Sequence, residues 1–217
     1  MNSSEYLKDW NLFFKILGSR VGPRTNKKIW MDLEFFIVLG SRYANQDPRT
    51  FTGFINLCSK IGTILSPFKL KKIANELLEK EEEYKILGFI VSTIQRNVRN
   101  KSQWNSIIKE LKDKANIMHE YKLFSSAAFK KEPTLGQWGI ISSKLELDDP
   151  EKYLNLEKLF KVPIIRNRFM GLKAVYSDLL SFKEYYGENE SLNSISKRIY
   201  HDYNSVYQAN ENILTAS

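Results

Sequence analysis

The sequence predicts a mainly α-helical protein, with a multi-helix N-terminal body and a smaller C-terminal helical domain, and three observations carry that expectation. Apolar side chains recur at spacings of three and four along most of the chain, the period of a helix with one buried face. The interruptions fall at helix punctuation: Gly18, Gly22-Pro23, Ser66-Pro67, Asp149-Pro150 and Gly187. Finally, 217 residues are enough to bury a real core without covalent staples. The single Cys58, in the apolar run FINLCSKIG, has no intrachain disulfide partner and reads as a buried thiol in a reducing compartment.

Taken in order, residues 5–17 form a first amphipathic helix, because Leu7, Trp10, Phe14 and Leu17 share a face opposite Lys8, Asn11 and Lys15. Gly18 ends it, and a basic loop with Arg20, Arg24, Lys27 and Lys28 follows. A second helix is expected over Ile29 to Tyr43. It contains a local echo of the first, FFKILGSR at 13–20 and FFIVLGSR at 35–42, which suggests a modest pseudo-symmetric helical pair and not a solenoid. Helices over 51–65 and 69–81 are separated by Ser66, placed to cap, and Pro67, suited to a first turn. The second of these runs from Lys69, Lys71 and Lys72 to Glu79 and Glu81 to Glu83, an order that opposes the helix dipole. Either tertiary contacts offset it or the helix breaks near residue 80. Tyr84 to Val98 carries a core stripe of Leu87, Val91, Ile94 and Val98.

A long helix is expected over 103–124, where Trp104, Ile107, Ile108, Leu111, Ala115 and Met118 make a broad apolar face. The stretch 125–160 is the best place for an internal boundary, and Asp149-Pro150-Glu151 has the makings of a helix start. The expected organisation is therefore a basic helical domain over 1–124, a connecting packed segment over 125–160 and a C-terminal domain over 161–217.

Charge and composition narrow the function. The excess of basic residues is local: residues 1–75 hold 12 Lys/Arg against 5 Asp/Glu, whereas 76–217 hold 21 against 20. Such a field attracts phosphate backbones or other anions. Arg20, Arg24, Arg42 and Arg49 all fall at helix ends or in turns, where they complement carbonyl ends and can reach a phosphate. Glu5 and Asp9 stand where a secretory leader would be basic and then apolar, and the apolar runs 33–39 and 86–91 are far shorter than a bilayer crossing. No integral membrane association and a cytoplasmic location are expected.

With His119 and His201 as the only histidines and Cys58 as the only thiol, no metal or cofactor is expected. Glu83-x-Lys85 and Glu110-x-Lys112 have the local look of part of a metal-dependent nuclease site. They sit in helical, highly charged segments with no strand-like run beside them, so an enzyme is the minor alternative.

The C-terminal segment carries the most specific pattern. After an apolar helix that includes Leu172, Val175, Leu179, Leu180 and Phe182 come a short helix from Leu192 to Ile199, a turn through Tyr200, His201 and Asp202, and a final helix from Tyr203 to Leu214. Ile195 and Ile199 can pack on Val206, Ala209 and Ile213, small Ala209 permits a close crossing, and Asp202 can cap. The stretch LNSISKRIYHDYNSVYQANENIL, residues 192–214, resembles helix-turn-helix DNA-binding domains, including winged-helix proteins.

That resemblance implies a helix-turn-helix-like C-terminal domain that binds double-stranded DNA, with its second helix in the major groove. Tyr203, Asn204, Tyr207 and Gln208 would face the groove, with the amides of Asn204 and Gln208 able to read adenine edges; Ser205 would bond to phosphate or base, and Lys197 and Arg198 would approach phosphates. Together with Arg20, Arg24, Lys27 and Lys28 these are the expected DNA-binding residues of a non-enzymatic regulator or nucleoprotein component.

Two departures stand out: Tyr200 occupies a turn position where many such motifs place glycine, and the sequence to Ser217 leaves no room for a β-wing after the final helix, so the wing is expected to be absent, replaced by an earlier element, or outside this sequence. The cluster of Tyr200, Tyr203 and Tyr207 also suits packing against another subunit, so the alternative is a helical interaction subunit, as a homodimer or within a larger complex.

Overall fold

A computed structural model describes residues 3–21, 29–124, 133–142 and 150–216. Helix α1 (Ser3–Ile16) buries Trp10, Phe13, Phe14 and Leu17. Gly18 ends it at φ +92°, where a side chain would meet the Asn155 carbonyl 2.6 Å away. Ser19 pairs with Leu154, and the Arg20 N–H donates to the Tyr153 carbonyl at 2.7 Å, so the end of α1 is pinned to a distant stretch of chain.

Helix α2 (Leu33–Tyr43) begins four residues later than the apolar period suggests. Asp32 is extended and its carboxylate accepts the Phe35 N–H at 3.0 Å, which fixes the start at Leu33 and leaves Ile29 to Asp32 outside the helix. The two echoed segments meet in one aromatic cluster: Trp10 stacks on Phe36 and donates to its carbonyl, Phe13 lies edge-on to Phe36, and Phe14 and Phe54 close the group. The echo is not equivalent in backbone, since Gly18 stops α1 whereas Gly40 lies inside α2, where a Cβ would collide with the Phe54 ring.

Helix α3 (Pro48–Ile61) lies three to four residues ahead of its expected span of 51–65 because Asp47 caps it at Pro48, whereas α4 (Pro67–Leu77) is capped by Ser66, as its sequence suggests. The chain breaks after α4 and restarts as α5 (Glu81–Asn97), so Glu81, Glu82 and Glu83 lie in the first turn of a new helix, where they complement its dipole. This resolves the charge order that would have been unfavourable in one continuous helix.

Helix α6 (Ser102–Lys114) ends ten residues before the expected end at residue 124. The Ala115 N–H closes its last turn on Leu111, Asn116 takes φ +40°, and the chain leaves the helix with Met118 88 % exposed. Tyr121–Lys122 (β1) then pairs in parallel with Ile140–Ile141 (β2), with the short α7 (Pro133–Gly136) between them. Trp138 covers α5 at Gly88, and the buried Lys85 ammonium donates to the His119 carbonyl. These tertiary demands override an apolar period that reads on through Met118.

Pro150–Lys152 form a 3-10 turn, while Asp149, the expected cap, lies outside the described residues. The chain continues as α8 (Leu156–Lys161), α9 (Pro163–Phe169), α10 (Ala174–Tyr186), α11 (Leu192–Arg198) and α12 (Tyr203–Ala216). Among the described residues the regular structure is thus helical apart from one two-residue strand pair, and their buried apolar side chains form one cluster from Trp10 to Ala209. No helix among the described residues is long and apolar enough to cross a membrane.

Candidate nucleic-acid interface

Helices α11 and α12 are positioned by local caps. Gly187 ends α10 at φ +78°, and the Ser191 hydroxyl accepts the Ser194 N–H to start α11. Four residues, 199–202, then link α11 to α12. Tyr200 takes φ +56°, the left-handed region that costs a non-glycine residue about 1–2 kcal/mol. Its ring stacks on Phe35 of α2 at 5.1 Å, a contact that glycine would forfeit and that offsets the strain. Asp202 caps α12, accepting the Ser205 N–H at 2.9 Å and the Ser205 hydroxyl at 2.6 Å. Ile195, Ile199, Val206 and Ala209 are buried and Ile213 is half-buried, so α12 presses its apolar face onto α10 and α11.

The opposite face of α12 is open. Tyr203 and Tyr207 are 47 % and 46 % exposed with ring centres 6.2 Å apart, and Asn204 and Gln208 are exposed beside them. The other expected DNA contacts divide. Lys197 is exposed, whereas Ser205 is half-buried and its hydroxyl is committed to Asp202. Arg198 is exposed as well, and it pairs with Glu190 at 2.5 Å and lies over the rings of Tyr186 and Phe182 at 4.4 and 4.7 Å. Arg42 is likewise engaged by Glu83 at 2.6 Å and by the Leu77 carbonyl.

Arg20 and Arg49 are exposed on one cleft beside the start of α3, while Arg24, Lys27 and Lys28 lie outside the described residues. Tyr6, near the start of α1, touches Phe35 and so lies near the α11–α12 turn; Arg20 follows the other end of the helix. At a rise of about 1.5 Å per residue, α1 separates Arg20 from that turn by roughly 15–20 Å.

Beneath the turn is a buried ion network that the periodicity of the sequence does not reveal. Arg168 of α9 spans two carboxylates: its Nη1 and Nη2 donate to Glu34 at 2.6 and 2.9 Å, and Nη2 and Nε donate to Asp178 of α10 at 2.7 and 3.1 Å. Lys69 of α4 donates to Asp178 at 2.6 Å and to Asp32, and stands 3.7 Å from Glu34. His201, in the turn itself, places Nε2 2.9 Å from the Asp178 carboxylate. Six residues from α4, α9, α10, the two ends of the Asp32–Glu34 step and the α11–α12 link thus share one interior site. The visible signal in the sequence is two acids opening an otherwise apolar run, MDLEFFIVL, but the partners lie far along the chain.

Three carboxylates face two permanent cations and one imidazole. Burial pushes the Asp32 carboxyl up to about 7, against the pull of Lys69. Burial also opposes ionisation of Glu34 and Asp178, yet the Arg168 guanidinium and the Lys69 ammonium hold both below the ordinary carboxylate range, with His201 adding to the effect on Asp178. Asp32 is the acid that does not touch Arg168, which explains why it carries the unfavourable share. Asp32, Glu34 and Asp178 have oxygens close enough to hold a metal ion. The Lys69 and Arg168 cations already fill that role, so the cluster is a closed ion network with its own counter-charges.

The two acidic-x-lysine doublets lie elsewhere. Glu83 is tied to Arg42 and Lys85 to the His119 carbonyl; Glu110 pairs with Lys71 at 2.5 Å, and Lys112 lies over the Trp138 ring. Each is accounted for by structural partners.

Comparison of the chain with protein-family models, with curated proteins and with solved structures finds no match.

Proposed function

We propose that the chain is a non-enzymatic DNA-binding protein, a regulator or a component of a nucleoprotein assembly, that lays the outer face of α12 in the major groove of duplex DNA. The observation that carries this reading is the division of α12 into two faces. Val206 and Ala209 pack inward, while Tyr203, Asn204, Tyr207 and Gln208 stand together in solvent with no negative charge among them. Amide side chains on the first turns of an exposed helix suit adenine edges. Lys197 is the neighbouring cation best placed to meet a phosphate, and Arg198, already bound to Glu190 and two rings, acts mainly as a brace for α11. Arg20 and Arg49 offer a second, sequence-independent contact with the phosphate backbone about a helix length away. A mobility-shift titration of the full chain with mixed-sequence duplex at low salt tests the reading: a shift that weakens steeply with added salt is expected, and its absence at low salt would reject the proposal.

A second reading, a helical interaction subunit, draws on another observation. Phe160 and Phe169 are exposed and lie edge-to-face at 5.2 Å, next to the largely exposed Met170. Such a patch suits a second subunit, and hence a homodimer or larger complex. Sedimentation of the free chain distinguishes the cases, since self-association through this patch would be lost in Phe160→Ser with Phe169→Ser.

A further inference from the structure

We propose that the cleft where the end of α1, the start of α3 and the 3-10 turn Pro150–Lys152 meet is a binding site for a phosphate-bearing ligand. A cavity of about 500 Å³ lies there, in the range of small-ligand pockets and larger than a single phosphate needs. Three cations line it, each from a separate part of the chain: Arg20 after α1, Arg49 in the first turn of α3 and Lys152 of the 3-10 turn. All three are exposed, so their charges are open to a solute. The rest of the lining among the described residues is apolar or uncharged.

The three cations are held in place. The Arg20 backbone N–H donates to the Tyr153 carbonyl at 2.7 Å and its side-chain Nε to the Leu154 carbonyl at 3.4 Å, which ties this residue to the chain just beyond Lys152. Lys152 stands over the Tyr153 ring, with Nζ 5.6 Å from its centre. Arg49 lies at the positive end of the α3 dipole, where a cation is disfavoured. Like charges on one cleft also repel, and an anion between them relieves both penalties. The α3 backbone does not make the site, because the Asp47 carboxylate already accepts the Arg49 and Thr50 N–H groups at 3.0 and 2.9 Å. Asp47 and Glu151 are the sequence neighbours that carry negative charge, and neither lines the cleft. Cations that converge from three segments suit a ligand whose oxygens point in several directions, as those of a phosphate group do, whereas the two oxygens of a carboxylate lie in one plane. Space beyond one phosphate suits a free polyphosphate or a stretch of duplex backbone. The inference adds Lys152 to the backbone contact proposed for Arg20 and Arg49, and rests on the DNA reading for the second of these two sources only.

The test is calorimetric titration of the full chain, without DNA, with inorganic pyrophosphate and with citrate as a carboxylate anion of comparable charge. A salt of about 0.1 M screens charges that lie a helix length apart. Saturable binding of pyrophosphate at one site per chain is expected, with citrate at least about tenfold weaker. Lys152→Gln, at an exposed position that does not threaten folding, should weaken pyrophosphate about tenfold, the effect of one lost charge-assisted contact. Lys60→Gln removes an exposed charge from the last turn of α3 and should leave pyrophosphate binding unchanged, which separates the cleft from net charge. Duplex binding is measured in parallel. A salt slope lowered by about one in Lys152→Gln and not in Lys60→Gln assigns the duplex backbone as a source. An unchanged slope with weakened pyrophosphate assigns a free polyphosphate. No response of either ligand to Lys152→Gln, equal responses to Lys60→Gln, or citrate bound as tightly as pyrophosphate overturns the proposal. If the wild type binds no duplex, the DNA reading fails and pyrophosphate alone decides the site; if duplex binding survives with neither response, the site fails and the DNA reading stands.

Discussion

The two sides of the α11–α12 link differ in how their polar groups are satisfied. On the inner side, Glu34, Lys69, Arg168 and Asp178 are fully engaged with one another in the dark of the core. On the outer side, Tyr203, Asn204, Tyr207 and Gln208 are exposed a few residues from His201, the network member that the link itself supplies. The contrast teaches that the most charged site in the fold and the proposed recognition surface are different things. The buried charges fix where α12 sits, and the exposed amides are left free to meet something else.

Breaking the inner side should have the largest effect. Arg168→Ala leaves Glu34 and Asp178 buried without the guanidinium that spans them and is expected to cost about 3–5 kcal/mol of stability, read as a drop in the urea midpoint at constant slope. An unchanged midpoint would show that the network is not closed as described.

Changing the outer side should leave the fold alone. Asn204→Ala and Gln208→Ala are expected to alter stability by less than about 0.5 kcal/mol, because both side chains are exposed. Each should reduce discrimination between DNA sequences by about 1–3 kcal/mol, read by competition between duplexes. Equal loss of affinity for every duplex would instead assign these residues to the backbone.

The pH dependence sharpens the inner side further. Asp32 is raised from 3.8 to about 7, so between those values the folded state holds a proton that the unfolded state releases, and this group's contribution to stability falls as pH rises through that window. Asp178 and Glu34 are lowered and act in the opposite sense: their contribution is present above about pH 4 and is lost as pH falls through their folded values. The thermal midpoint of the wild type should decline from pH 5 to 7.5, and Asp32→Asn should flatten that decline. A profile that Asp32→Asn does not alter would contradict the placement of the surplus proton.

The smallest expected effect is at the far end of α1. Arg20→Gln should weaken all duplexes alike and reduce the salt slope by about one, with no change in preference. A change in sequence preference would place Arg20 at a base edge.

Much of the helical architecture is legible in the sequence because local rules decide it. Ser66 and Gly187 act where their chemistry says they should, and Ile195, Ile199, Val206 and Ala209 are buried as their spacing requires. The failures occur where distant contacts decide. Asp32 stops α2 from starting at Ile29 because its carboxylate is both cap and ion partner, and α6 ends at Lys114 because the following chain turns to pair with Ile140 and Ile141. Arg198, expected at a phosphate, stays exposed and also meets Glu190, Phe182 and Tyr186, partners that its neighbours in sequence do not announce. The ion network is the clearest case: Lys69, Arg168 and Asp178 each look like an ordinary surface charge until three helices bring them together.

The central claim is that the outer face of α12 reads DNA, and the most direct measurement is fluorescence anisotropy of a labelled duplex library fragment titrated with wild-type chain and with the Asn204→Ala, Gln208→Ala double variant, both shown to be folded by circular dichroism. The account predicts salt-sensitive binding by both proteins, with selection of preferred sequences by the wild type and loss of that selection in the variant. Absence of binding by the wild type at low salt, or identical selection by the two proteins, would contradict it.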